Sequence, residues 1–147
     1  MEARGIMNGD EFDSTYAVMR HLNSLQDQNR LTRRRALEAI RRELFTGQDV
    51  APDRSVVEAI IRPLLRVFSD PVEKCRELAI LTVSELFEST EQPSSFLQCV
   101  IPTLVQRLAQ PEITEPSEEL RLKLVELVHS VIYRGNVHVT PYLNDLV

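Results

Sequence analysis

The chain has 147 residues, 43% of them apolar and 27% charged, with four glycines, no tryptophan and a net charge of −5. That length supports one domain with a real core, and scarce glycine beside frequent Leu, Glu and Arg favours helices over strands. The acidic balance and the 5% aromatic content both count against nucleic acid as the main partner, which calls for a basic surface and stacking side chains.

Taken in order, residues 1–11 read as a mobile N-terminal tail with no periodic pattern. Asp13 or Ser14 can cap a first helix that puts Tyr16, Met19, Leu22 and Leu25 on one face. After a turn at Asp27-Gln28-Asn29, a second helix over about 30–46 turns Leu37, Ile40 and Leu44 inward. Gly47 is its stop. The third helix, about 55–68, contains Pro63, which predicts a kink because proline lacks the N–H and crowds the preceding turn. A turn at Ser69-Asp70-Pro71 leads to the fourth helix, about 72–88, with Cys75, Leu78, Ala79, Val83 and Leu86 on one face. The fifth covers about 96–109 and holds Pro102. A longer loop then precedes the sixth, about 118–133. Residues 139–147 look like the start of a seventh helix.

These helices repeat. Asp27 and Asp70 are 43 residues apart, and each is followed six residues later by an arginine, Arg33 or Arg76, and nine residues later by Ala36 or Ala79. Leu37 matches Ile80, Ile40 matches Val83, and Leu44 matches Phe87. In a third copy Ile101 takes the place of Ile61 and Arg121 that of Arg76, with Leu124 and Val128 behind it. A two-helix period of 40–45 residues is that of an α-solenoid, in which stacked pairs bury a continuous core, and is too long for tetratricopeptide or ankyrin units. The domain then spans 12–147, with units at about 13–46, 54–88 and 95–134, and 138–147 as the start of a next one.

The turn Asp, the Arg six residues on, the small Ala behind it and the prolines of the first helices resemble HEAT repeats. That resemblance implies an all-α, right-handed solenoid of about three HEAT-type helix pairs plus the start of a fourth. It also implies that Asp27, Arg33, Asp70, Arg76 and Arg121 form a structural ladder between neighbouring turns. The third copy departs from the pattern with Gln110 where Asp is expected. Either the ladder weakens there, or an acidic residue of the longer loop takes over its role.

A closer likeness lies in Arg33-Arg34-Arg35-Ala36-Leu37-Glu38-Ala39, Cys75-Arg76-Glu77-Leu78-Ala79 and Glu118-Glu119-Leu120-Arg121-Leu122. This series is similar to the N-terminal repeats of the dynein axonemal assembly factor 5 family. The resemblance implies a non-catalytic cytoplasmic scaffold for preassembly of axonemal dynein arms. Its implied partners are dynein chains and other assembly factors or chaperones. The alternatives are another HEAT adaptor (transport, phosphatase-scaffold or chromosome-organising) or a nucleic-acid binder working through the Arg-rich helix.

No catalytic constellation emerges. His21, His129 and His138 are scattered, there is no Gly-rich phosphate loop, and Glu118-Glu119 reads as favourable first-turn charge. Cys75 and Cys99 fit small buried hydrophobes in a reducing compartment, and no cofactor or metal is expected. No stretch approaches about 18 uninterrupted apolar residues, so a membrane role is not expected.

Charge is unevenly spread. Residues 29–46 hold six arginines against Glu38 and Glu43, whereas residues 70–91 hold Lys74 and Arg76 against six acids. One reading is a docking patch for an acidic partner at Arg34, Arg41 and Arg42. The other is that adjacent second helices attract each other. An uncapped last repeat would also leave apolar surface open to self-association.

Overall fold

The computed structural model describes residues 9–45, 51–135, 138, 140 and 141, with side chains from Tyr16 onward. Among the described residues, six α-helices follow one another: α1 (Gly9–Leu22), α2 (Arg30–Phe45), α3 (Arg54–Val67), α4 (Glu73–Ser89), α5 (Leu97–Leu108) and α6 (Glu118–Gly135). Short 3-10 turns at Asn23–Gln26 and Pro93–Phe96 end α1 and lead into α5. Among the described residues there is no strand.

Each odd helix packs on the even helix that follows it, giving three pairs. The pairs then stack, α1 on α3 on α5 in one layer and α2 on α4 on α6 in the other. One cluster of buried side chains runs without a break from Val18 in α1 to Val131 in α6. Leu37, Ile40, Ile60, Leu64, Phe68 and Ile80 within it are fully buried. Each such side chain contributes roughly 1.5–3 kcal/mol of transfer free energy, so the stack rests on apolar contact within and between pairs.

The helix ends show why the pairs form where they do. Asn29 accepts hydrogen bonds from the backbone N–H groups of Leu31 and Thr32, capping α2. Ser117 caps α6 by accepting from the N–H of Leu120. At the other end of α4, the Arg134 guanidinium donates to the carbonyls of Phe87, Glu88 and Thr90. A cation there satisfies the last carbonyls of the helix and complements its dipole. The same three bonds tie the end of one pair to the end of the next. Pro63 and Pro102 both lie inside helices, and α3 and α5 are each assigned as one segment through them.

The first helix differs from its expected form. It begins at Gly9, ahead of the expected caps at Asp13 and Ser14. Tyr16 and Met19 stand in solvent at 63% and 42% exposure, while Val18 and Leu25 are buried and Leu22 lies against them. The segment carries two overlapping apolar stripes at helical spacing. Contact with α2 and α3 selects the one through Val18, Leu22 and Leu25. Residues 1–8 of the expected tail, the expected stop at Gly47 and most of the expected seventh helix lie outside the described residues.

Candidate functional site

The turns between the two helices of each pair share one construction. Asp27 and Asp70 each accept a hydrogen bond from the backbone N–H two residues on, at Asn29 and Val72, both at 2.8 Å. Glu115 does the same with Ser117 at 3.0 Å. Six residues after each acid, an arginine folds back onto its backbone carbonyl. Arg33 reaches the carbonyl of Asp27 at 2.9 Å, Arg76 that of Asp70 at 2.9 Å, and Arg121 that of Glu115 at 3.2 Å. Glu115 therefore occupies the place of the missing third Asp, and Gln110 does not. The extra residues of the longer loop lie before Glu115, so the six-residue step to Arg121 is kept.

Each arginine then crosses to the next turn. Arg33 grips the Asp70 carboxylate with a two-bond fork at 2.8 and 3.1 Å. Arg76 grips Glu115 in the same way at 2.9 and 3.0 Å, and Arg107 adds a third bond at 2.9 Å. Planar fork pairing of this kind fixes both angle and register between neighbouring repeats. The bond to Asp70 is the main reason that the Arg33 pKa is raised. Burial of Glu115 works against its charged form, but the Ser117 N–H and the guanidiniums of Arg76 and Arg107 outweigh it and hold its pKa below the ordinary value. Cys75 sits against the first rung, its thiol pKa pushed up by burial and by the Asp70 charge, and it is inert packing there.

The three arginines expected to form a docking patch are separated. Arg34 pairs with Glu38 on the exposed side of α2 at 2.9 Å. Arg41 crosses to Glu85 of α4 at 2.6 Å and bridges two repeats. Arg42 stays exposed and helps to line an open groove between α1 and α2, with a volume of about 470 Å³. His21 and Ser24 line it from α1 and the turn after it, and Thr32, Arg35, Ala36, Glu38 and Ala39 line it together with Arg42 from α2. Among the described residues, neither Arg35 nor Arg42 makes an ion pair. The pKa of His21 is lowered, chiefly by burial and then by Arg20 and Arg42, with Glu43 opposing. Arg35 belongs to this groove and is hard to find from sequence, because every residue of the Arg33-Arg34-Arg35 run is the same type. Among the described residues, no group of His, Cys, Asp and Glu could hold a metal ion.

Comparison with known proteins agrees with this repeat construction. Residues 24–147 match the family described as dynein axonemal assembly factor 5-like, TPR repeats. The chain belongs to this family. It is 39% identical over 143 residues to dynein axonemal assembly factor 5 of Xenopus laevis, covering 92% of this chain and 16% of that protein. The Mus musculus protein of the same name is 38% identical over 142 residues, covering 90% of this chain and 17% of its own. The Homo sapiens protein is 32% identical over 151 residues, covering 97% and 18%. The chain thus spans less than a fifth of the length of these relatives. No solved structure matches it. The family description speaks of TPR units, which are about 34 residues long. The equivalent turns here are instead 43 and 45 residues apart, at Asp27, Asp70 and Glu115. No described helix is long and apolar enough to cross a membrane.

Proposed function

We propose that this chain is a non-catalytic, cytoplasmic interaction scaffold acting in the preassembly of axonemal dynein arms. Its partners are dynein chains and other assembly factors or chaperones. Membership of the assembly-factor family carries the reading. Two features of the chain support it: the ladder holds the repeats in one register, and the α1–α2 groove offers Arg35 and Arg42 to an acidic segment of a partner. A rigid stack with an electropositive groove at its end suits capture of a chain segment, because little ordering of the scaffold is needed on binding.

The test is affinity capture from a lysate of ciliated cells with the 147-residue chain as bait, read by mass spectrometry. Recovery of dynein chains is expected. A ribosomal, nuclear-pore or phosphatase set in their place would sink the reading. The double variant R35E/R42E should lose most of the capture while keeping its far-ultraviolet circular dichroism. Unchanged capture would remove the groove from the proposal.

A further inference from the structure

A second groove, with a volume of about 430 Å³, runs between α3 and α5 within the layer of first helices. Arg62 and Arg66 line it from α3, and Gln98, Thr103 and Gln106 line it from α5. The two arginines are one helical turn apart, so both guanidiniums rise from the same side of α3. Both are exposed, and among the described residues neither makes an ion pair. The acids one turn away along the chain are already engaged. Glu58, four residues before Arg62, pairs with Arg54 at 2.8 Å. Asp70, four residues after Arg66, is gripped by Arg33. Among the described residues, no Asp or Glu lines the groove, and α5 contains none. In a chain of net charge −5, two adjacent positive charges are thus left without a counter-charge beside them.

The α5 side adds hydrogen-bonding groups of both kinds. Pro102 also lines the groove, and it has no N–H, so the carbonyl of Gln98 one turn back lacks its ordinary helical donor. The side-chain amides of Gln98 and Gln106 are exposed and can donate as well as accept. Such a wall suits a peptide backbone, and the paired guanidiniums suit carboxylates. Residues one helical turn apart have their Cβ atoms about 6 Å from each other. An extended chain sets alternate side chains on one side at a spacing of about 7 Å. Acids at every second residue therefore match the two arginines. No aromatic side chain lines the groove, so nucleic-acid bases have nothing to stack on there.

We propose that the α3–α5 groove binds an extended acidic segment of a partner protein. Arg62 and Arg66 each take a carboxylate from alternate residues of that segment, and the Gln98 carbonyl accepts from its backbone N–H. This site lies apart from the α1–α2 groove and does not depend on it.

The probe is a fluorescein-labelled decapeptide of alternating Glu and Thr, titrated with the 147-residue chain and read by fluorescence anisotropy. R62E/R66E should weaken binding about tenfold or more. Both side chains are exposed, so the variant should keep the far-ultraviolet circular dichroism of the parent. It should also bind the Lys-Thr counterpart of the probe more tightly than the parent does. Cys99 reports where the peptide sits, because it lines the groove while the other cysteine, Cys75, is fully buried. Saturating peptide should slow alkylation of Cys99 by iodoacetamide several-fold, in the parent and equally in R35E/R42E. Absence of binding overturns the proposal, as does an affinity unchanged in R62E/R66E. Undiminished alkylation of Cys99 under bound peptide also overturns it, since the peptide then sits elsewhere. Oligothymidylate that protects Cys99 better than the peptide would assign the groove to nucleic acid and overturn it too.

Discussion

The two rungs of the ladder follow one plan and differ in how deeply they are set. The first joins α2 to the turn before α4 through Arg33 and Asp70, with side chains 12% and 6% exposed. The second joins α4 to the turn before α6 through Arg76 and Glu115, at 7% and 0%, with Arg107 as a second donor. An Asp at the end of a tight turn reaches one arginine. The longer Glu, set back by five extra loop residues, reaches two and is sealed from water. Depth changes what the rung does energetically. A buried ion pair adds little net stability against an apolar alternative, but losing one partner strands the other. The second rung is therefore where the stack is most sensitive, although it departs most from the repeat pattern.

Breaking the acids one at a time should expose that difference. Glu115→Ala strands two buried arginines and should cost about 3–5 kcal/mol. Asp70→Ala leaves Arg33 closer to water and should cost less, on the order of 1–3 kcal/mol. Urea denaturation midpoints of the two variants measure the gap, and equal losses would mean that the two rungs are equivalent.

Acid provides a finer comparison. An unfolded Glu titrates near about 4.3. The native Glu115 pKa lies below its ordinary value, so its carboxylate adds stability above that pH. This contribution is lost as the pH falls through the lowered native value. Unfolding midpoints should fall as the pH drops below about 4.3 in the parent chain and fall less steeply in Glu115→Gln. Parallel curves would show that other carboxylates carry the acid response.

The smallest effect belongs to Arg41. Its pair with Glu85 also bridges two repeats, but both partners are partly exposed, at 24% and 41%. Arg41→Ala should change stability by about 0–1 kcal/mol. A loss near that of Glu115→Ala would mean that its packing, rather than its charge, holds α2 to α4.

Much of this architecture is readable without coordinates because its causes are local. Helical spacing of apolar residues marks the six helices, and a six-residue step marks the turns at Asp27 and Asp70. Such signals come from neighbours in the chain and survive in any one sequence. Boundaries are less legible: α1 starts at Gly9, several residues ahead of the caps that the sequence offers at Asp13 and Ser14.

What the sequence by itself determined, then, is the helical class, the repeat interval and the residues able to form a ladder. Only the tertiary structure decided that Val18 rather than Tyr16 and Met19 faces the core, and that Glu115 takes the place of the third Asp and makes the second rung. It also decided that Arg41 bridges to α4 while Arg35 and Arg42 line a groove. The reason is common to all of these. On a helix bearing two possible apolar stripes, or three arginines in a row, spacing shows which residues share a face. Which neighbour that face meets is set by helices, and by an acid, that lie about forty residues away.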